Sequence, residues 1–291
     1  MKIALITTFS ASPESVRIQE EIEKMGHKFR LIDLQDFQFV ADKTVGLQIA
    51  EIGEVNFDLA IVRGIFNSIK PISVVLESLR VRGVKIFDND LITHLYSIDK
   101  VTDIAKLASR GIPVPRTSYS RNYKAYPSLA DRTGYPVIVK QTRSGQGAHV
   151  YKVDSPDQLN DLIVKLENEG KSAKSFILQE FIEYEHDLRV LVIGERVFAM
   201  KRIPRDGDFR ANFSLGGTVE LFDLQKKDKE LAIEALKAVG MTVGGVDILI
   251  DKNDERYVLE VNHTAGFKGM EQATKKNIAK IFVEHAISNA G

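Results

Sequence analysis

The fold of this chain is decided by two short apolar stretches near its end, Gly245-Val246-Asp247-Ile248-Leu249-Ile250 and Tyr257-Val258-Leu259-Glu260-Val261-Asn262. Both are predicted to be β-strands, and the polar turn Asp251-Lys252-Asn253-Asp254 favours their pairing. Side chains alternate across a strand, so Glu260 and Asn262 face the same side, and pairing allows Asp247 to join them. Three oxygen-bearing side chains converging from an apolar sheet indicate a magnesium site beside a nucleotide. The alternative is a set of carboxylates paired with Lys or Arg at a strand end.

A lysine at the end of another apolar strand is the second feature. Lys140 follows Val137-Ile138-Val139 and precedes the loop Gln141-Thr142-Arg143-Ser144-Gly145-Gln146-Gly147. An ammonium group supplies a point charge for phosphates, and Gly145 and Gly147 allow backbone N–H groups to approach a ligand closely. The spacing differs from that of a Walker loop, and an ordinary two-glycine turn is the alternative.

Two further stretches suit an anionic or nucleotide ligand. The stretch from Arg202 to Gly217 carries three arginines and a Gly-Gly pair, and arginine binds carboxylate or phosphate bidentately. The stretch Leu178-Gln179-Glu180-Phe181-Ile182, followed by Asp187, could place a free backbone edge against an adenine and a carboxylate against a ribose hydroxyl. The alternatives are a solvated surface loop and an ordinary strand end.

The first third of the chain alternates between strand and helix patterns. Strands are predicted over 2–7, 29–34, 58–63 and 84–87, and helices after Ser12-Pro13 and over 72–82. This alternation indicates a parallel sheet covered on both faces. No G-x-G-x-x-G follows the first strand, which disfavours a dinucleotide-dependent oxidoreductase. A further helix is predicted over 91–110, before the extended segment Ile112-Pro113-Val114-Pro115.

Composition limits the class of protein. The 291 residues are enough for about two domains. Lys plus Arg and Asp plus Glu are both 40, and a net charge of zero argues against a dedicated nucleic-acid binder. The absence of cysteine excludes disulfides, zinc–thiolate sites and a cysteine nucleophile. No apolar run is long enough to span a bilayer, so we expect a cytoplasmic protein with no membrane partner.

Taken in order, these motifs resemble the ATP-grasp superfamily, and in particular its RimK-like and LysX-like carboxylate–amine ligases. The resemblance covers essentially the whole chain and is strongest from Lys100 onward, through Asp99-Lys100, Val139-Lys140, Gln179-Glu180-Phe181-Ile182, Asp187-Leu188-Arg189, Gly207-Asp208-Phe209-Arg210-Ala211-Asn212, Gly216-Gly217, Gly245-Val246-Asp247 and Glu260-Val261-Asn262. It implies an ATP-grasp fold of α/β and α+β class. An N-terminal Rossmann-like domain would cover residues 1–95, and two α+β lobes, 96–185 and 186–291, would clasp ATP.

The resemblance also implies a role for each site residue. The phosphates would be held by Lys100 and Lys140, under a closing loop that contains Gly145 and Gly147. The remaining cofactor-binding residues would be Gln179, Glu180, Phe181 and Ile182 at the adenine, Asp187 at the ribose, and Arg189. Two magnesium ions, with manganese as a substitute, would be ligated by Asp247, Glu260 and Asn262. The catalytic groups that stabilise developing charge would be Arg210, Arg202 and Asn212.

The implied reaction is the ADP-forming ligation of an acceptor carboxylate, activated as an acylphosphate, to the amine of an amino acid, expected to be L-glutamate. His263-Thr264 and Phe267-Lys268 resemble LysX-type enzymes that act on a carrier protein, and His263 could touch substrate. The segment from Gly269 to Thr274 instead resembles RimK-type enzymes or the archaeal ligases of coenzymes. The acceptor is therefore a protein C-terminus, a carrier protein or a coenzyme, and a homodimer or homotetramer is expected. The alternatives are a non-catalytic ATP-binding regulator and a glutathione-synthetase-like or D-alanine-ligase-like enzyme.

Overall fold

The computed structural model describes residues 1–44, 46–53, 55–65, 68–88, 99–143, 149–205 and 218–290. Its first part contains β1 (Lys2–Thr7), α1 (Pro13–Lys24), β2 (Lys28–Asp33), β3 (Phe39–Asp42), β4 (Gly46–Ile49), β5 (Leu59–Val62), α2 (Ile69–Val81) and β6 (Lys85–Phe87). Four of these strands form a parallel sheet in the order β2-β1-β5-β6. The predicted parallel sheet is confirmed. Every residue of β1 after Lys2 is buried, as expected for a strand covered on both faces.

The hairpin of β3 and β4 was not predicted. Its two strands pair antiparallel as a separate sheet. All four residues of β3 are exposed, so the strand lacks the alternation of buried and exposed residues by which a half-buried strand is recognised. The start of α1, in contrast, was predicted correctly, because Ser12 caps the helix by accepting a hydrogen bond from the Ser15 N–H at 3.2 Å.

The central part of the chain is built around a separate antiparallel sheet. It contains α3 (Lys100–Ser109), β7 (Thr117–Ser118), α4 (Tyr126–Thr133), β8 (Val137–Gln141), β9 (Val150–Val153), α5 (Pro156–Asn168) and β10 (Phe176–Glu180). The strand order is β7-β10-β8-β9. The helix predicted over 91–110 corresponds to α3 in its second half, and residues 91–98 lie outside the described residues.

The last part of the chain is built around a five-stranded antiparallel sheet. It contains β11 (Tyr184–Ile193), β12 (Arg196–Ile203), β13 (Thr218–Leu221), α6 (Lys226–Ala238), β14 (Val243–Asp251), β15 (Arg256–Asn262), α7 (Lys268–Thr274) and α8 (Ile278–Asn289). The strand order is β13-β12-β11-β14-β15. The predicted pairing of the two C-terminal strands is confirmed by the contact of β14 with β15. The domain boundaries at 95/96 and 185/186 stay a prediction.

The N-terminal and C-terminal sheets share one hydrophobic core. Its buried members come from β1 and α1, from β11 and β14, and from α7 and α8, and they include Ile3, Ile18, Leu191, Val243, Met270 and Phe282. The central sheet has a separate core around Tyr126 and Phe176. Among the described helices, none is long and apolar enough to cross a membrane.

The segment that follows β15 is held by the N-terminal part of the chain. Arg63, directly after β5, donates to the carbonyl oxygen of Ala265, and its guanidinium carbon lies 4.5 Å from the centre of the Phe267 ring. Glu14 of α1 accepts a hydrogen bond from the Phe267 N–H at 3.0 Å. Burial lowers the pKa of Arg63 to about 10, although Glu14 partly opposes this effect. These contacts fix the N-terminal part of the chain against the segment that follows β15.

Candidate active site

The three predicted magnesium ligands lie together on the two C-terminal strands. Asp247 of β14 is the direct cross-strand partner of Glu260 of β15, and Gly245 is the partner of Asn262. The register shifts immediately after Asp247, so a β-bulge adjoins this pair. The predicted convergence of these side chains is confirmed by the pairing. Their role as metal ligands stays a prediction.

Each of these three side chains also contacts a basic residue. The Nζ of Lys100 lies 3.3 Å from Oε2 of Glu260. Arg189 of β11 forms an ion pair with Oδ1 of Asp247, and its two Nη atoms lie 2.9 and 3.0 Å from the amide oxygen of Asn262. Arg202 of β12 lies 2.9 Å from the second oxygen of Asp247. The ion pairs considered as the alternative to a metal site are therefore present.

The donor set nevertheless fits a hard divalent cation. Two carboxylates and an amide oxygen are the ligand types that magnesium prefers, and magnesium completes its shell with water and phosphate oxygens. Within the described part of the chain, no group of three or more His, Cys, Asp and Glu side chains could hold a metal ion. The two carboxylates here would accordingly need Asn262 and a bound nucleotide as further ligands.

Asp187 and Arg202 form a buried ion pair beside Asp247. The Nε and Nη2 atoms of Arg202 donate to the two oxygens of Asp187 at 2.6 and 2.9 Å. Burial raises the pKa of Asp187, which shares Arg202 with Asp247. Burial also opposes the ionisation of Asp247, but Arg189 and Arg202 outweigh it and lower the pKa of that carboxyl. That Asp187 binds the ribose stays a prediction. Its contacts in the structure indicate that it orients the guanidinium of Arg202.

Lys140 is a buried cation on β8. Only 7% of the residue is exposed, and its Nζ donates to the carbonyl oxygen of Leu259 at 3.4 Å. Burial lowers the pKa of Lys140 to about 8, Glu260 opposes this, and Lys100 adds to it. Lys140 therefore reaches from the central sheet to the strand that carries the predicted metal ligands.

Lys100 begins α3, and the start of this helix is strongly fixed. Asp99 caps the helix with a full capping box that includes Thr102. The backbone N–H of Lys100 donates to the carbonyl oxygen of Thr142 at 3.3 Å, two residues beyond Lys140 in the chain. Lys100 and Lys140 are thus anchored to each other through the backbone, and both lie beside Glu260.

The predicted adenine segment joins the central sheet to the C-terminal sheet. Gln179, at the end of β10, is buried and donates to the hydroxyl of Thr117 at 2.9 Å. The backbone N–H groups of Glu180 and Phe181 donate to the carbonyl oxygens of Arg116 and Pro136, so these two amides are not the free edge that was expected. The Phe181 ring lies under the Nζ of Lys152 at 4.5 Å, and Ile182 follows in the connection to β11.

Some predicted residues cannot be placed, and one contact was missed. The residues Gly145, Gly147, Arg210 and Asn212 lie outside the described residues. Asp103, one helical turn after Lys100, was not predicted, yet its Oδ2 lies 2.8 Å from Nε2 of His263. His263, which by its position could touch substrate, is buried, and a contact with substrate stays a prediction. No local pattern indicated this contact, because it depends on how α3 packs against the end of β15.

Comparison with known proteins identifies the family and the fold of the chain. A model of the RimK-like ATP-grasp domain matches residues 97–286. A protein from Hahella chejuensis named "Probable alpha-L-glutamate ligase 2" is 31% identical over an alignment of 299 positions, which covers 99% of this chain and 96% of that protein. A "Probable alpha-L-glutamate ligase" from Xanthomonas euvesicatoria is 33% identical over 290 residues, covering 98% and 97%. The solved structure of the ATP-grasp ligase PsnB with minimal precursor, Mg and ADP has a TM-score of 0.73 and 19% identity, covering 99% and 96%.

The fold and the site together define an ATP-dependent carboxylate–amine ligase. The chain belongs to the RimK-like ATP-grasp family, because the domain model and both relatives match most of its length. The ATP-grasp fold expected from the sequence is confirmed. ATP-grasp ligases use ATP and Mg²⁺, which agrees with the two lysines and the oxygen-bearing side chains around Glu260.

Proposed function

We propose that this ligase joins L-glutamate to the carboxylate of a protein C-terminus, a carrier protein or a coenzyme, with conversion of ATP to ADP. Glutamate is supported by the names of the two relatives, which are 31% and 33% identical over nearly the whole chain. The observation that carries the chemistry is the meeting of Lys100 and Lys140 beside Glu260, where the central and C-terminal sheets approach each other.

The residues around Glu260 divide into phosphate-binding and metal-binding groups. Lys100 and Lys140 bind the phosphates of ATP, because two fixed ammonium groups on one side suit a polyanion. Asp247, Glu260 and Asn262 would hold two Mg²⁺ ions, with Mn²⁺ as a substitute, and these ions would neutralise charge on the phosphates. The segment from Gln179 to Ile182 lies against the adenine. Lys100 and Arg189 then exchange part of their contact with the carboxylates for contact with the nucleotide.

The reaction forms an amide in two steps. An oxygen of the acceptor carboxylate attacks the γ-phosphorus, the new C–O–P bond gives an acylphosphate, and ADP leaves. The neutral amine of glutamate attacks the acyl carbon, loses a proton, and expels inorganic phosphate. Such chemistry depends on orientation and charge stabilisation more than on a strong base. Arg202, with Arg210 and Asn212, supplies positive charge and hydrogen bonds to the developing oxyanion.

The test is a coupled measurement of ADP and product mass. The protein is incubated with Mg-ATP and single amino acids, with and without a panel of carboxylate acceptors that includes peptides ending in glutamate and a coenzyme extract. We expect ADP release that depends on glutamate, together with an acceptor that gains the mass of one or more glutamate residues. ADP release that depends on another amino acid would contradict the glutamate assignment. No ADP release with any pair would contradict the proposed function.

A matched pair of variants tests the site itself. Glu260→Gln removes one predicted metal ligand, so we expect ADP release to fall by at least about 100-fold, as when an essential charge-stabilising group is lost. Glu255→Gln alters an exposed carboxylate directly before the same strand and should leave activity within about twofold, as surface changes usually do. Equal activities of the two variants would exclude Glu260 from the site.

A further inference from the structure

The first turn of α3 makes two parallel contacts with the end of β15. Lys100 lies 3.3 Å from Glu260, and Asp103 lies 2.8 Å from His263. Lys100 and Asp103 are three residues apart on a helix and therefore share a face. Glu260 and His263 are three residues apart along the strand and the residue that follows it. The helix is thus attached to the strand at two consecutive points.

The two contacts have different surroundings. The side chains of Lys100 and Glu260 are 16% and 29% exposed, so solvent or a ligand can reach this pair. Those of Asp103 and His263 are both 6% exposed. The other polar atom of each, Oδ1 of Asp103 and Nδ1 of His263, is buried and has no hydrogen-bond partner in the described part of the chain. Separating the pair would therefore leave two buried polar groups with no partner.

We propose that Asp103 and His263 are a positioning pair that holds Lys100 at the phosphates while the contact between Lys100 and Glu260 changes. A carboxylate oxygen only accepts hydrogen bonds, so Nε2 of His263 donates to Asp103. This buried contact keeps the first turn of α3 at a fixed distance from the predicted metal ligands. The backbone hydrogen bond from Lys100 to Thr142 fixes the same turn to the end of β8. The inference rests on the proposed function of this site.

The chain offers a matched control on the same strand. Asp228 of α6 accepts a hydrogen bond from Arg256 at 2.8 Å, and this pair is also buried. Arg256 is the first residue of β15, whereas Asn262 is the last. The Asp228–Arg256 pair therefore attaches a helix to β15 at the end that lies away from the predicted metal ligands. Removing the Asp228–Arg256 pair therefore shows how much stability is lost with a buried ion pair that lies away from the nucleotide.

The experiment compares Asp103→Ala with Asp228→Ala. We measure thermal unfolding, the KM for ATP and kcat, and the Kd of ADP by calorimetry without metal. Asp103→Ala should raise the KM for ATP and the Kd of ADP by about tenfold, which corresponds to a loss of about 1.4 kcal/mol of binding free energy. The change in kcat should be much smaller. Asp228→Ala should lower the midpoint of thermal unfolding and leave both nucleotide constants within about twofold.

A conservative variant completes the test. Asp103→Asn keeps an oxygen that can accept the hydrogen bond from His263, so it should restore most of the nucleotide affinity. It also keeps the test valid if the alanine variant folds poorly. Asp103 variants that lose stability but bind nucleotide like the Asp228 variant would overturn the inference. Wild-type protein that neither binds ADP nor releases it from ATP would instead refute the proposed function.

Discussion

Lys140 is a buried cation on β8, and the charges of Glu260 and Lys100 both act on it. Burial lowers its pKa to about 8 from the ordinary 10.5, so the folded protein holds this proton less tightly than the unfolded chain. Such a difference destabilises the fold at neutral pH by roughly 3 kcal/mol. The penalty disappears as the pH rises from about 8 to about 10.5, because the unfolded chain then loses the same proton.

Lys140→Met should therefore stabilise the protein and abolish its binding of ATP. Without nucleotide at pH 7, we expect the free energy of unfolding to rise by roughly 1–3 kcal/mol, and this gain should shrink above pH 8. Urea unfolding at several pH values and ADP calorimetry measure the two effects. Lys165→Met changes an exposed lysine on α5 and should alter neither. A Lys140→Met protein that is less stable at pH 7 would contradict the assigned cost of burial.

The Asp187–Arg202 pair gives a second prediction for a single residue. Asp187→Ala removes one partner of a buried ion pair and leaves Arg202 bound to Asp247 alone. Arg202 keeps Asp247 as its counter-ion, so we expect a loss of about 1.5–3 kcal/mol of stability, the range for hydrogen bonds to a charged group. Urea unfolding should show this loss together with a fall in kcat. Glu185→Ala, at an exposed position of the same strand, should show neither change.

The sequence contained the signal for this ion pair. The hairpin turn at Gly194-Glu195 pairs Ile193 with Arg196, and continuing that register along both strands pairs Asp187 with Arg202. The pairing of β14 with β15 was predictable from their turn, but that register alone would place Asp247 opposite Leu259, so its convergence with Glu260 also needs the bulge. Asp103 could not be found by register, because its contact with His263 depends on how α3 packs against β15.

At the scale of elements, β14 must pass very close to β15 and to the segment that follows it. A Cβ atom built on Gly245 would lie 2.9 Å from the Cβ of Ala265 and 3.4 Å from that of Asn262. The first distance is too short for two carbon atoms, so one strand would have to move. Gly245 therefore permits the close approach that places Asp247 and Asn262 against Arg189.

Gly245→Ala should consequently weaken nucleotide binding as well as stability. We expect a loss of about 1–3 kcal/mol in the free energy of unfolding, as for other overpacked sites, and a raised KM for ATP. Gly269→Ala, within α7, is the matched control. A Cβ atom at Gly269 would contact only the side chain of Met200, at a normal van der Waals distance of 3.7 Å. That variant should be neutral or up to about 1 kcal/mol more stable. Normal kinetics of Gly245→Ala would show that the close approach is not needed.

Elements with an apolar pattern were predictable, and elements without one were not. The strands β1, β8 and β14 consist largely of buried apolar residues, which is why their positions follow from the sequence. The hairpin of β3 and β4 presents mostly exposed residues and gave no such signal. The bulge after Asp247 breaks the regular register of the two strands, and no local pattern in the sequence marks it.

At the scale of the whole molecule, the N-terminal and C-terminal sheets are joined through α8. Phe282 of this helix lies 5.8 Å from the ring of Phe87 and 5.4 Å from that of Phe267, between centroids. Its cluster includes Leu5 of the first strand and Leu191 of β11. Because these residues share one core, the two sheets should lose their structure together.

Phe282→Leu tests this shared core. We expect a loss of about 1–2 kcal/mol, and faster amide hydrogen exchange in both β1 and β11. Phe176→Leu makes the same chemical change in the separate core of the central sheet and should speed exchange in β8 and β10 but not in β1. Exchange in β1 that changes independently of β11 would mean that the two sheets unfold separately.

The position of α8 also has a consequence for synthesis on the ribosome. Domains generally fold as units, beginning with the N-terminal one while the chain is still being made. Here the first strands to be translated need α8, which follows every described strand, to cover their apolar face. The nascent N-terminal sheet must therefore wait with the part of that face beyond α1 uncovered and should depend on chaperones. A message truncated before Ile278 would yield an aggregating fragment rather than a weakened enzyme.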